Sequence, residues 1–257
     1  MDTFIQQIIN GLVLGSIYAL VALGYTMVYG ILGLINFAHG EVVMIGALTA
    51  LTVIKLLADS GLPGTVVVLI GLLAAIPVCM ALGFTIERIA YRPLRNAPRL
   101  APLITAIGVS IVLQQLAMIF WGRNYHAFPP ILPTSSREIG GAHITDVQIV
   151  IILLAVAIMA GLMLLVNRTR LGRAMRATAE NPQIAGLMGV NINVIISATF
   201  LIGSALAAVA GVMVSANYSI AHYHMDFILG LKAFTAAVLG GIGNLPGAML
   251  GGVLLGL

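Results

Sequence analysis

The sequence predicts an all-α protein, a polytopic membrane helical bundle of about eight membrane segments that include broken helices. Of its 257 residues, 60% are hydrophobic and only 8% are charged, against about 25% in ordinary soluble domains. Its mean hydropathy is +1.10. Several charge-free runs reach the ~20 residues that a membrane-spanning helix needs. These runs are apolar on all sides, whereas the strands of a membrane barrel alternate apolar and polar residues.

The charge-free runs give the order of the segments. No Asp, Glu, Lys or Arg occurs in residues 3–40, 60–86, 100–122, 147–167, 181–225 and 233–257. As one helix, the first run would be ~57 Å long, whereas the hydrocarbon core is only ~30 Å thick, so this run must break. The fifth run must break for the same reason. We therefore predict helices at 5–27 with a glycine-interrupted continuation to 40, 41–58, 65–87, 101–121, 147–167 and 191–214, and a broken region from 226 onwards.

The basic residues predict the orientation. Eight of the twelve fall in two short stretches, Arg88, Arg92, Arg95 and Arg99, and Arg168, Arg170, Arg173 and Arg176. Cytoplasmic loops carry such an excess of basic residues, and two predicted spans separate the stretches, so both can lie on the cytoplasmic side. The proline- and glycine-rich loop at 123–146 is then external and irregular, and the N-terminus is external. The N-terminus has neither a basic leader nor an Ala-x-Ala cleavage site, so we expect the first segment to be retained.

The segment at 168–193 combines arginines with a short amphipathic helix. Asn181 suits an N-cap, Pro182 suits the first helical position, and Gly189 suits the helix end. Between them the spacing predicts a helix over 183–188, on which Ile184, Leu187 and Met188 share one face. Such a face can dock into a partner's groove or lie against the membrane. An ordinary amphipathic cytoplasmic loop is the alternative that local physics leaves open.

Three stretches carry a resemblance to a known family. They are TRLGRAMRATAENPQIAGLMGV at 169–190, NFAHGE at 36–41 after GILGLI at 30–35, and VLGGIGNLPGAMLGGVLLG at 238–256. Together they resemble signature segments of the permease subunits of branched-chain amino acid ABC importers, the high-affinity leucine, isoleucine and valine systems. The resemblance covers essentially the whole chain. Because members of that family continue through more membrane-embedded sequence, it also implies that further sequence follows residue 257.

The resemblance implies a single transmembrane permease domain over 1–257, of the type II-like ABC importer class, in the bacterial inner membrane. It implies a non-enzymatic subunit without cofactor or metal that moves leucine, isoleucine and valine. The implied partners are two ABC ATPase subunits, a homologous second permease, a periplasmic substrate-binding protein and membrane lipid, but no nucleic acid. The implied ATPase-coupling positions are Gly172, Arg173, Arg176, Glu180, Asn181, Ala185 and Gly189, joined by Ile184, Leu187 and Met188 of the predicted helix. Related permeases move urea or short amides, which is the alternative substrate class.

Asn36, His39 and Glu41 are candidate residues of a translocation pathway. An ionised carboxylate at the centre of a membrane costs about 2.5–3.5 kcal/mol, so Glu41 should face the bundle interior, a water path or a partner. Broken helices mark the pathways of several transporter folds. We expect the three side chains to form one polar face with a gating or pathway role. Two alternatives are that they satisfy each other and the freed backbone groups, or that Glu41 lies at the membrane interface.

Other functional classes fit the sequence less well. Residues 240–247 are rich in glycine, but a phosphate-binding loop needs Gly-Lys followed by Ser or Thr, so ATP chemistry should reside on a partner. An ion-coupled transporter or channel would rely on Glu41, since Asp226 and Lys232 are predicted near a segment boundary. An intramembrane enzyme fits poorly as well, because this sequence has no paired carboxylates within a predicted span.

The histidines at 222 and 224 could suggest a metal site with Asp226. The neighbouring tyrosines, Tyr218 and Tyr223, favour an aromatic belt at the membrane interface instead. We therefore interpret this region as the external mouth, where a binding protein would dock.

Overall fold

Ten α-helices make up most of the part of the chain that the computed structural model describes, which is residues 2–95, 97–98, 100–129, 136–139 and 142–257. They are α1 (Asp2–Leu32), α2 (His39–Leu56), α3 (Gly64–Ile86), α4 (Leu100–Trp121), α5 (Asp146–Arg168), α6 (Arg170–Glu180), α7 (Pro182–Leu187), α8 (Ile192–Tyr218), α9 (Asp226–Leu239) and α10 (Leu245–Gly256). Within these residues, α1 to α5 and α8 are long and apolar enough to cross a membrane, and α9 and α10 are shorter apolar helices. The predicted total of about eight membrane segments is confirmed.

Among the described residues, four short strands lie at one end of the bundle, which we call the strand end. They are β1 (His126–Ala127), β2 (Ser136–Ile139), β3 (Ala142–Thr145) and β4 (Ile220–Ala221). β1 pairs with β4 and β2 with β3, both antiparallel. The loop at 123–146 was predicted to be irregular, but part of it forms paired strands. Pairing satisfies backbone groups that an open loop would leave to solvent. Residues 130–135 and 140–141 of this loop lie outside the described residues.

The opposite end, which we call the arginine end, carries the described basic residues of both stretches. After α3, a π-helical turn (Glu87–Tyr91) and a 3-10 turn (Arg92–Leu94) hold Arg88 and Arg92. Both arginines line a cavity of about 450 Å³ together with Asn191 and Asn193 at the start of α8. The second stretch runs from the last residue of α5 into α6. The two stretches thus share one end, as their spacing predicts, while Arg99 lies outside the described residues.

The first charge-free run breaks later than predicted. α1 continues through its glycines to Leu32 and ends at Gly33, whose φ of 63° is the left-handed conformation that glycine adopts readily. Without water to replace its hydrogen bonds, a helix in lipid keeps its backbone paired for as long as it can. α2 then begins at His39, so the non-helical break is confined to residues 33–38.

Two further regions differ from the prediction. α6 was not predicted, although its N-cap signal is present, since the Thr169 side chain accepts a hydrogen bond from the backbone N–H of Gly172. The broken region from 226 resolves into α9 and α10, joined by residues 240–244. Lys232 therefore lies in the middle of α9 rather than near a segment boundary.

α1 forms the centre of the bundle together with α2 and α8. About 72%, 67% and 61% of their most apolar windows are buried, against 17% for both α4 and α5, which leaves α4 and α5 to face lipid or partners. α10 packs against α1 at a small-residue seam, Gly11, Gly15 and Ala19 on α1 and Gly252 and Gly256 on α10. A Cβ on Gly252 would lie 2.6 Å from the Cα of Ala19. Small residues spaced by four let membrane helices approach this closely.

We predict that Gly252→Leu separates α1 from α10, because the leucine side chain would overlap the α1 backbone. Overpacking of this kind costs about 1–3 kcal/mol or more, which corresponds to a fall of roughly 5–10 °C in the midpoint of thermal unfolding. The midpoint can be followed with a thiol-reactive dye, because the single cysteine, Cys79, is fully buried until the protein unfolds.

Gly108→Leu is the matched control, since a Cβ at Gly108 meets no atom within 4 Å. It should leave the midpoint within about 2 °C of the unmodified protein. Equal midpoints for the two variants would contradict the close packing of α1 on α10.

Candidate functional site

The segment formed by α6 and α7 caps the arginine end of the bundle. Thr169 starts α6, and the Asn181 side chain accepts a hydrogen bond of 3.0 Å from the backbone N–H of Ile184 to start α7. α7 ends before Gly189, whose φ of 87° reverses the chain. The cap at Asn181, the proline at the first position and the glycine at the end are therefore confirmed. The helix itself is Pro182–Leu187, one residue earlier than predicted.

α6 rests on the bundle through one face. Its buried residues are Gly172, Met175 and Thr178. Met175 belongs to an apolar cluster with Leu23 and Met27 of α1, Leu162 of α5, and Ile195 and Leu206 of α8. Gly172 is needed at the turn from α5, because a Cβ there would lie 2.2 Å from the carbonyl oxygen of Val166. A displacement of α6 would therefore be felt by three membrane helices.

The opposite face of α6 is polar and exposed. It carries Arg173, Arg176 and Glu180. The Arg176 guanidinium donates a hydrogen bond to the carbonyl oxygen of Val166, which holds it against the end of α5. The remaining charged groups face away from the bundle and are available to a partner.

α7 presents an apolar face that nothing in the chain covers among the described residues. The exposed fractions of Ile184, Leu187 and Met188 are 58%, 87% and 81%, while Ala185 on the other side is buried. These three large apolar side chains share one helix face, and the exposed charged residues of α6 precede it in the chain. An exposed apolar patch rimmed by polar groups marks a docking site, and an amphipathic helix of this kind suits a groove on a partner.

An ion pair that the sequence analysis missed connects the π-helical turn to the start of α8. Glu87 is buried, and its carboxylate accepts hydrogen bonds from the guanidinium of Arg95 and, at 2.8 Å, from the hydroxyl of Ser197. The same guanidinium donates to the side chain of Asn193 at 2.6 Å. The only signal in the sequence is a glutamate at the end of a span with arginines close behind it.

Asn36, His39 and Glu41 are all buried, with exposed fractions of 4%, 2% and 2%. They do not form one polar face. Positions two apart on a helix differ by about 200°, so His39 and Glu41 point in opposite directions. Their closeness along the chain favoured a common face, but closeness in sequence does not fix the direction of a side chain. Asn36 lies in the non-helical break before them.

Each of the three side chains contacts a different part of the bundle. The Asn36 side-chain oxygen accepts a hydrogen bond of 3.0 Å from the hydroxyl of Tyr91. The His39 ring packs against Tyr25 of α1, with ring centroids 4.8 Å apart. It also fills the space beside Gly24, where a Cβ would lie 2.1 Å from Nε2. The break between α1 and α2 is thus attached to the end of α3 and to α1.

Glu41 attaches the same region to α4. Its Oε1 accepts hydrogen bonds from the hydroxyl of Ser110 and, at 2.9 Å, from the side-chain amide of Gln114. Its Oε2 and the Nε2 of His39 are buried without a hydrogen-bond partner among the described residues. Glu41 also lies in the first turn of α2, where the helix dipole favours a negative charge. The site is a buried polar junction of four helices with unused hydrogen-bonding capacity.

The chain is similar in sequence to known permease proteins. Residues 7–257 match the family described as the branched-chain amino acid transport system / permease component. The chain is 51% identical to the high-affinity branched-chain amino acid transport system permease protein BraD of Pseudomonas aeruginosa and 47% identical to LivH of Escherichia coli. Each match covers 99% of this chain and 84% of the relative.

A more distant relative is archaeal. The chain is 27% identical to a probable branched-chain amino acid transport permease protein of Methanocaldococcus jannaschii, over 98% of this chain and 79% of the relative. No solved structure matches the chain. With a family match from residue 7 to residue 257 and close relatives along nearly its whole length, this multi-pass membrane protein belongs to the family of permease components of branched-chain amino acid transport systems.

Proposed function

We propose that the chain is the permease subunit of an ATP-driven importer that carries leucine, isoleucine and valine across the bacterial inner membrane into the cytoplasm. The observation that carries this proposal is the near full-length similarity to two permeases named for high-affinity branched-chain amino acid transport. The chain is a translocation subunit rather than an enzyme, and ATP is hydrolysed on partner subunits. Neither of its two lysines lies in the Gly-Lys-Ser/Thr setting of a nucleotide-binding loop.

The arginine end faces the cytoplasm in this proposal, as the excess of basic residues favours. The strand end and the N-terminus then face the periplasm. Two ABC ATPases bind at the arginine end, a periplasmic binding protein delivers the substrate at the strand end, and a homologous second permease completes the path. The thinly packed helices α4 and α5 leave room for such a neighbour or for lipid.

The face of α7 formed by Ile184, Leu187 and Met188 docks into a groove of one ATPase. When ATP draws the two ATPases together, α7 moves with its groove and takes α6 along. The exposed Arg173, Arg176 and Glu180 lie beside the contact, while the buried Ala185 holds α7 on the bundle and Gly189 reverses the chain after it. Met175 passes the displacement to α1, α5 and α8 through the apolar cluster on which it rests.

The polar junction of Asn36, His39 and Glu41 is the gate in this mechanism. It adjoins the break at residues 33–38, and α1 contributes Met27 to the coupling cluster shortly before that break. Moving the end of α1 changes the angle between α1 and α2. The unpartnered atoms of His39 and Glu41 then gain access to water or to the substrate's charged groups, which would lower the free energy of the open state.

The first prediction concerns transport itself. Cells that carry the full-length protein with its partner subunits should take up labelled leucine, and cells that lack only this chain should lose that uptake. Excess isoleucine or valine should compete, whereas urea should not. Unchanged leucine uptake in cells without a redundant importer would contradict the amino acid assignment, and competition by urea would favour the amide class instead.

The second prediction concerns coupling. Leu187→Asp places a charge in the centre of the docking face, so copurification of the ATPases and leucine uptake should both fall about tenfold or more. The measurement is the ratio of ATPase to permease in the purified complex. Ala58→Asp adds the same charge at an exposed position after α2 and should leave that ratio unchanged. A normal ratio in the Leu187 variant would exclude α7 as the docking helix.

The third prediction concerns the gate. Glu41→Gln keeps a carbonyl acceptor for Ser110 and Gln114 but removes the negative charge. If the charge serves gating, the maximal rate of leucine uptake should fall about tenfold while the amount of protein in the membrane stays normal. Ser110→Ala, which keeps the charge, should reduce the rate less. Full uptake by the Glu41 variant would leave this carboxylate with a packing role only.

A further inference from the structure

A groove of about 360 Å³ opens at the strand end between α1, α8 and α9. Three tyrosines from different parts of the chain line it, Tyr18, Tyr125 and Tyr218, together with His222 and Lys232. The His222 ring stacks on Tyr125, with ring centroids 4.2 Å apart and an interplanar angle of 18°. The volume of the groove is in the range of small-molecule binding sites.

Lys232 gives the groove its charge. It is exposed on α9, between Ile228 and Thr235 on a face that otherwise carries uncharged residues. A lysine in the middle of a lipid-facing helix is costly, and such residues face a water-filled cavity or a partner almost without exception. Lys232 therefore favours water or a partner, rather than hydrocarbon, beside this face of α9.

The Lys232 ammonium uses only part of its hydrogen-bonding capacity within the described contacts. It donates a hydrogen bond of 3.3 Å to the hydroxyl of Tyr18 and lies 5.6 Å from the centroid of the same ring. An ammonium has three donors, so two are left for a ligand among the described contacts. No described carboxylate lines the groove. The open donors suit an anionic group of a ligand, and a carboxylate meets this requirement.

The rest of the groove suits an aliphatic zwitterion. Val214 and Leu229 are buried in its wall and Ile228 flanks its opening, which gives an apolar surface for a branched side chain. The ring face of Tyr218 can hold an ammonium by cation–π attraction. A cation, an apolar wall and aromatic rings within one groove match the three parts of a branched-chain amino acid.

We propose that this groove is a substrate-binding site on the strand-end half of the translocation path, with Lys232 as the partner of the amino acid's α-carboxylate. The inference rests on the proposed function, because it takes the substrate class from there. The groove receives the amino acid at the mouth of the path, before the amino acid reaches the junction at Glu41. Tyr18 positions the lysine.

The test uses the complete transporter in proteoliposomes, with Cys79→Ala to remove the native thiol. Ile228→Cys places a thiol on the same face as Lys232, one turn earlier, and a neutral, water-soluble methanethiosulfonate labels it. Leucine should slow this labelling. Adding Lys232→Met should raise the leucine concentration for half-protection about tenfold or more, and Lys232→Arg should preserve protection. Leu153→Cys, exposed on α5 away from the groove, should resist labelling because it faces lipid.

The outcomes separate this inference from the proposed function. If the unmodified transporter imports leucine but leucine does not protect position 228, or protects it equally after Lys232→Met, the groove is not the site and the lysine is a membrane-surface anchor. Resistance of Ile228→Cys to labelling would also overturn the inference. If the Lys232→Met variant does not accumulate, two other variants still test the inference. Ile228→Cys with native Lys232 and Ile228→Cys with Lys232→Arg must both be protected by leucine. A transporter that imports no leucine contradicts both proposals.

Discussion

The close approach of α1 to its neighbours is the constraint on which the rest of the structure depends. α1 can occupy the centre of the bundle because its faces carry small residues where other backbones cross it. Gly15 meets Val253 of α10, and Gly24 makes room for the ring of His39. In lipid, helix association depends on such packing rather than on the exclusion of water, so a larger side chain at these points removes contacts that nothing else replaces.

From this central position α1 contacts every candidate functional region. Gln6 exchanges hydrogen bonds with the backbone of His143 at the strand end, and Tyr18 holds Lys232 in the groove. Further along, Tyr25 contacts His39 at the break, and Met27 supports Met175 of α6. The proposed substrate groove, the proposed gate and the proposed coupling segment thus lie in order along one helix. A shift of α1 would therefore alter the contacts of all three regions together.

The sequence predicted most of what depends on composition and local spacing. The spans, the shared end of the two arginine stretches, and the cap, first proline and terminal glycine of α7 all follow from apolar length, charge and capping chemistry. The sequence could not predict features that depend on the direction of a side chain or on a contact with a residue far away in the chain. Glu87 and Ser197 are 110 residues apart, and Lys232 and Tyr18 are 214 apart, so nothing near either residue indicates the other. The prediction that His39 and Glu41 share one face was wrong, because two residues close along a helix can point in different directions.

The burial of Glu41 against α4 also affects how the protein is made. The carboxylate is synthesised 69 residues before its partner Ser110. At ~5–20 residues per second, roughly 3 to 14 seconds pass between the two. During that interval α2 has an acidic side chain but no donor from α4 to receive it. Inserting α2 before α4 is present therefore carries the cost of an acidic side chain, about 2.5–3.5 kcal/mol at the centre of a membrane, without the hydrogen bonds that offset it in the folded bundle. The hydrogen bonds from α4 thus stabilise a helix that precedes α4 in the chain.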